Sequence, residues 1–151
     1  RPGDTTCTRR LIMETRPLQL VLVLAVFLVG FANPTSAAET AHLLDGKTFV
    51  GKNGEKGQPL DPNQDEELVF QDGRFTSVSC FPYNFGSSEY SARVVGDTIH
   101  FEAVTMSPSH GKIAWKGFVK GSTAEATFVW TKERWYWNTH REYWFQGVRK
   151  E

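Results

Sequence analysis

Apolar and polar residues alternate with a period of two along most of the chain beyond residue 38. In Asp97–Ala103, the residues Ile99, Phe101 and Ala103 fall on one face, and His100 and Glu102 fall on the other. The run Ser122–Thr131 repeats this, with Ala124, Ala126, Phe128 and Trp130 opposite Thr123, Glu125, Thr127 and Val129. Lys112–Lys120 aligns Ile113, Trp115, Gly117 and Val119. Such alternation is the signature of strands with one buried face, because successive side chains point to opposite sides of a sheet. Eight strands are predicted: Lys47–Lys52, Glu67–Gln71, Arg74–Cys80, Glu89–Val95, Thr98–Met106, Lys112–Lys120, Ser122–Thr131 and Arg141–Val148.

The breaks between them are of two kinds. Asp72-Gly73, Gly96-Asp97, Ser107–Gly111 and Lys120-Gly121-Ser122 are short and carry the Gly and Asp that tight hairpins need. Asn53–Gln64 and Phe81–Ser88 are longer, rich in Gly, Pro, Asn and Ser, and read as exposed loops. Short connections make sequential strands antiparallel neighbours. The expected fold is therefore all-β: an antiparallel up-and-down meander closed into a barrel, which removes exposed edges. The alternative is a two-sheet β-sandwich.

A different pattern precedes this domain. From Met13, Arg16 supplies a positive start, Leu18–Val29 is apolar apart from Gln19, and Gly30 and Asn33-Pro34 end the run. Thr35-Ser36-Ala37 then offers the small residues a signal peptidase reads. The apolar stretch is too short to span a bilayer, which takes roughly 20 residues. Residues 13–37 are therefore expected to be a cleaved signal peptide, with 1–12 an extraneous upstream segment and 38–151 a single barrel domain. A periplasmic or secreted location follows, with no membrane anchor after cleavage. Cys7 lies upstream of the expected cleavage point and Cys80 is left alone, so the expected domain has no internal disulfide.

Charge narrows the partners. The chain holds 17 basic and 17 acidic residues, and the expected mature part is slightly acidic. Nothing in that balance suits a nucleic acid, which calls for a basic face. The aromatic content is 13%, and Trp130, Trp135, Tyr136, Trp137, Tyr143, Trp144 and Phe145 crowd the last quarter. Rings of this kind fill cores, and they also form the walls of small-ligand cavities.

The opening Leu44-Asp45-Gly46-Lys47-Thr48-Phe49 resembles the first strand of lipocalin-like (calycin-like) barrels, with Phe49 where that superfamily usually carries Trp. The Gly-Lys/Asp punctuation and the closing Tyr143-Trp144-Phe145-Gln146-Gly147 are similar to small exported bacterial barrel proteins. The resemblance implies a fold and an envelope address, and no activity.

Three functions are consistent with these residues. The first is a binding module for a small apolar or aromatic ligand, with Trp115, Trp130, Trp135, Trp137 and Tyr143 lining an open interior. The second is an envelope interaction or inhibitor protein acting through the loops Asn53–Gln64 and Phe81–Ser88. The third is an enzyme using Cys80 or the pair His100/Glu102. Catalysis is not expected: a thiol nucleophile needs a base and a lowered pKa, and no His stands near Cys80 in sequence. No metal site or cofactor is expected either, since HxxxH, CxxC, phosphate-loop and GxSxG patterns are missing from the sequence. The carboxylates Asp61, Asp65, Glu66 and Glu67 read as a solvated charge run, and His110 as an exposed turn residue.

Overall fold

The computed structural model describes residues 42–151. The expected leader and the segment before it lie outside these residues. Eight strands follow in order: β1 Lys47–Glu55, β2 Asp65–Gln71, β3 Arg74–Ser77, β4 Ser88–Val95, β5 Thr98–Ser107, β6 Gly111–Lys120, β7 Thr123–Lys132 and β8 Thr139–Arg149. Each pairs antiparallel with the next, and β8 pairs with β1, so the sheet is a closed up-and-down barrel rather than a sandwich.

The two ends of the barrel differ. The turns β2–β3, β4–β5 and β6–β7 are Asp72-Gly73, Gly96-Asp97 and Gly121-Ser122, all at one end. Asp72 and Gly73 both have positive φ, 52° and 71°, which suits the right-handed twist of a tight hairpin. Every longer connection lies at the opposite end, because strand direction alternates. This places residues 56–64, 108–110, 133–138 and the segment after β3 together.

Four boundaries depart from the sequence expectation by two residues or more, one of them the start of β2, which begins at Asp65 rather than Glu67. Asn53 does not open a loop: β1 runs on to Glu55 because Asn53, Gly54 and Glu55 pair with Phe145, Trp144 and Tyr143 after pairing with β2 has ended at Lys52↔Asp65. The third strand stops at Ser77, and Val78–Tyr83 forms a 3₁₀ helix containing Pro82, so Cys80 sits on that helix rather than at a strand end. The helix ends at Asn84 in the left-handed region, φ 61°. Finally, β8 begins at Thr139, two residues earlier than expected.

The end with the tight turns is packed solid. Phe70 is its centre, with ring centroids 4.9 Å from Phe101, 5.1 Å from Tyr90, 5.3 Å from Phe75 and 6.2 Å from Phe49. The opposite wall makes room with small residues at inward positions, Ala92, Ala103, Ala124 and Ala126, all buried. Leu44 plugs this end. Its side chain is fully buried, its N–H donates to the Tyr90 hydroxyl at 3.1 Å, and the Gly46 N–H donates to the Phe70 carbonyl at 2.8 Å. Burial of so many rings supplies the main stabilisation of a domain with no disulfide among its described residues.

The interior changes character half-way up. Asn53, Glu66, Ser77, Thr105 and Ser107 are the buried polar residues among those described, and all project inward nearer the end with the longer loops. The filled half and the polar half meet at Trp115, whose indole N–H donates to Thr105 Oγ1 at 3.3 Å.

Candidate functional site: the open end of the barrel

A cavity of about 600 Å³ occupies the end with the longer loops. One wall is apolar: Ile113, Phe128, Trp130 and Tyr143 from β6, β7 and β8, with Phe85 from the segment before β4. The other is polar: Asn53 and Glu55 from β1, Asp61 and Gln64 from the β1–β2 connection, and Glu66, Ser79 and Cys80 beyond it. The volume falls within the roughly 300–1,000 Å³ of small-molecule sites.

Alternation explains which side chains reach it. In β2, Glu66 shares the inward face with Leu68 and Phe70, so the charge predicted to be solvated is buried, 4% exposed. Its carboxylate accepts from Ser77 Oγ at 2.9 Å, Asn53 Nδ2 at 3.2 Å, the Ser79 N–H at 3.3 Å and Ser79 Oγ. A buried charge is tolerable only when its lone pairs are met in this way. Because the carboxylate accepts, the Asn53 amide must turn its NH₂ toward it. Asn53 Oδ1 then has no partner, although the residue is only 8% exposed.

Cys80 borders this polar wall. Burial pushes its thiol above the usual range; hydrogen bonds from Ser77 and Ser79 pull the other way, while the Glu66 carboxylate adds to the rise. The group is held as a thiol, the opposite of what a nucleophile requires. His110 is half-buried rather than exposed: it lines the cavity, with its ring 5.5 Å from that of Tyr83 and its Nδ1 2.9 Å from Ser109 Oγ.

The five aromatic residues expected to line the interior separate into three groups. Trp130 and Tyr143 do line the cavity. Trp130 is fixed by its indole N–H donating to the His110 carbonyl at 2.7 Å, and Tyr143 by stacking on Phe128 at 5.1 Å and 16°. Trp115 faces inward but lies behind Phe128 and is closed off from the cavity. Trp135 and Trp137 are corrected: they sit outside the barrel, 95% and 60% exposed. They were expected to line the interior, but residues 133–138 form a connection, closed where the Arg134 N–H meets Asn138 Oδ1 at 3.4 Å. There Trp135, Tyr136 and Trp137 stack edge to face in sequence, and Arg134 lies 5.8 Å from the Trp137 ring.

His100 and Glu102 face outward, the first beside Phe118 and the second 3.6 Å from Lys116. They border a depression of about 510 Å³ on the outer wall over β4–β8. Its other outward side chains are chiefly charged or hydroxylic, and it lacks a buried polar group. Among the described residues, no three of His, Cys, Asp or Glu converge as a metal centre would require.

The chain was compared with protein-family models, with curated proteins and with solved structures, and it matches none of them. The reading of the site therefore stands on its own geometry.

Sequence reasoning missed Asn53, Glu66, Ile113 and Phe128 as cavity residues. A signal existed for Glu66: extending the Leu68/Phe70 alternation back by one step puts it inside. The same step from Phe49 and Gly51 puts Asn53 inside, but whether β1 reaches that far depends on its pairing with β8.

Proposed function

We propose that the chain is a lipocalin-like binding module that takes a small ligand with an apolar or aromatic body through the open end of its barrel. The observation that carries this reading is the coexistence of a solid aromatic half and an empty half of about 600 Å³ with one aromatic wall. The leader expected at residues 13–37 would deliver such a barrel to the periplasm or outside the cell. Binding rather than catalysis is assigned, because Cys80 is held as a thiol and the Glu66 oxygens are already engaged.

Titration of the folded chain with the uncharged probe N-phenyl-1-naphthylamine, read by tryptophan quenching, tests the proposal. Saturable quenching that Trp130→Phe diminishes is expected. A folded protein that shows no saturable response would refute it.

A second reading has its own support: the exposed aromatics Phe81, Tyr83, Trp135, Tyr136 and Trp137 all ring the open end. Exposed rings of this kind are typical of interaction surfaces. In that reading the rim contacts an envelope protein, and the double variant Trp135→Ala/Trp137→Ala would abolish the interaction while leaving probe binding intact.

A further inference from the structure

We infer that the cavity selects flat aromatic ring systems, and that their seat is the face of Tyr143 at the end of the Trp115–Phe128–Tyr143 stack. This deepens the binding proposal above and rests on it.

The rings of the barrel interior pack in two ways. Around Phe70, in the filled half, they meet edge to face: Phe49, Tyr90 and Phe101 stand at 82°, 79° and 80° to it. Ring edges are turned into neighbouring faces there, which satisfies the ring quadrupoles and leaves no flat surface open. Beside the cavity the packing becomes nearly parallel. Trp115 and Phe128 are 25° from parallel with centroids 4.2 Å apart, and Phe128 and Tyr143 are 16° from parallel at 5.1 Å. The inner end of this series is closed by Phe75, whose ring lies 5.1 Å from that of Trp115 at 57°. The outer end is not closed by a ring. Among the described residues Tyr143 has one aromatic neighbour, Phe128, and it borders the cavity.

Register explains why the series stops there. Trp115, Phe128 and Tyr143 occupy directly paired inward positions on β6, β7 and β8, and the next paired position around the barrel is Glu55 on β1. Glu55 has no ring to continue the stack, and its carboxylate pairs with Arg141 at 3.3 Å. Trp130, two residues beyond Phe128 on β7, lines the same cavity and is fixed there by its bond to the His110 carbonyl.

An aliphatic body could fill this volume, because hydrophobic burial is non-directional and follows area alone. A planar ring gains an offset-stacking contribution as well, which requires a face of defined orientation. Phe128 sets the orientation of Tyr143 from behind, before any ligand arrives, so little side-chain freedom is lost on binding.

Calorimetric titration of the full chain with 1-naphthalenemethanol and decahydro-1-naphthalenemethanol, which share one bicyclic skeleton and one hydroxyl, tests this. Tyr143→Leu should lower the ratio of aromatic to saturated affinity about fivefold, and Tyr143→Phe, which keeps the ring, should leave the ratio unchanged. In the unsubstituted protein the Tyr143 ring protons should shift upfield in NMR spectra with the aromatic probe and not with the saturated one. That readout holds even where Tyr143→Leu does not fold. A ratio that Tyr143→Leu leaves unchanged, or ring protons that do not respond to the aromatic probe, would overturn the stacking seat while leaving the binding module standing. An equal fall in Tyr143→Phe would overturn it too, by assigning the effect to the hydroxyl. Failure of both probes to bind would remove both proposals.

Discussion

Trp115 lies almost flat on Phe128, with ring centroids 4.2 Å apart and planes 25° from parallel, and Phe128 in turn stacks on Tyr143. The three rings come from successive strands, β6, β7 and β8, and sit at neighbouring inward positions in register: Trp115 pairs with Phe128, and Phe128 with Tyr143. The stack is the boundary between the filled half of the barrel and its cavity. Trp115 belongs to the core below it, and Tyr143 to the wall above.

Removing the middle ring should join the two regions. Phe128→Ala is expected to cost about 3–5 kcal/mol, the range for an aromatic deleted from a core, measured by urea denaturation. The same variant should admit larger probes, because the new void opens into the existing cavity. A cost below about 1 kcal/mol would show that Phe128 does not form this boundary.

Closure of the barrel depends on Gly51 and Gly147, which face each other across the β1–β8 seam. A Cβ on Gly51 would lie 2.0 Å from the Gln146 carbonyl oxygen and 2.5 Å from Gly147 Cα, both backbone atoms that cannot turn aside. Gly51→Ala should therefore destabilise by roughly 3 kcal/mol, the upper end for an overpacked site. Gly46→Ala provides the contrast. It meets no steric obstacle, and only its positive φ of 75° opposes the change. The thermal midpoints of the two variants check this order.

The closed end carries a pH-sensitive bond set. Burial would raise the Asp45 pKa, but hydrogen bonds from His42, the Tyr90 hydroxyl at 2.8 Å and the Gly73 N–H, with the His42 charge, outweigh it and hold the carboxyl below its usual value. Burial, then the bond to Asp45, pushes Tyr90 well above the ordinary phenol value. A lowered acid stabilises the fold above its unfolded pKa of about 3.9 and loses that contribution as pH falls through the folded value. A raised phenol stabilises below its unfolded pKa of about 10 and loses its contribution as pH rises toward the folded one. The contribution of Asp45 should thus be lost on the acid side and that of Tyr90 on the alkaline side. Tyr90→Phe should flatten the alkaline limb. It should also cost about 1–3 kcal/mol by leaving the buried Leu44 N–H without its acceptor. Chemical denaturation across pH measures both effects.

Cys80 should be slow to alkylate. Its raised pKa keeps the reactive thiolate scarce, so iodoacetamide at pH 8, followed by mass at this residue, should label the native protein more slowly than the urea-unfolded chain. Faster labelling of the native protein would mean an activated thiolate and would reopen the catalytic reading.

Local pattern determined much of this protein. The two-residue period marks which residues of each strand share a face, and Asp72-Gly73, Gly96-Asp97 and Gly121-Ser122 mark where the chain must reverse. Together these dictate an antiparallel meander, because a tight turn can join only adjacent antiparallel strands. What tertiary structure alone decided is which inward positions are filled and which face empty space. Phe101 and Phe128 are alike in their strands, yet one is packed against Phe70 and the other borders the cavity. Asn53 became a wall residue only because β8 extends β1 beyond the reach of β2. Trp135 and Trp137 left the interior because the β7 ladder ends at Lys132↔Thr139. Each outcome depends on pairing between segments far apart in the chain, and alternation within a single strand carries no record of its partner.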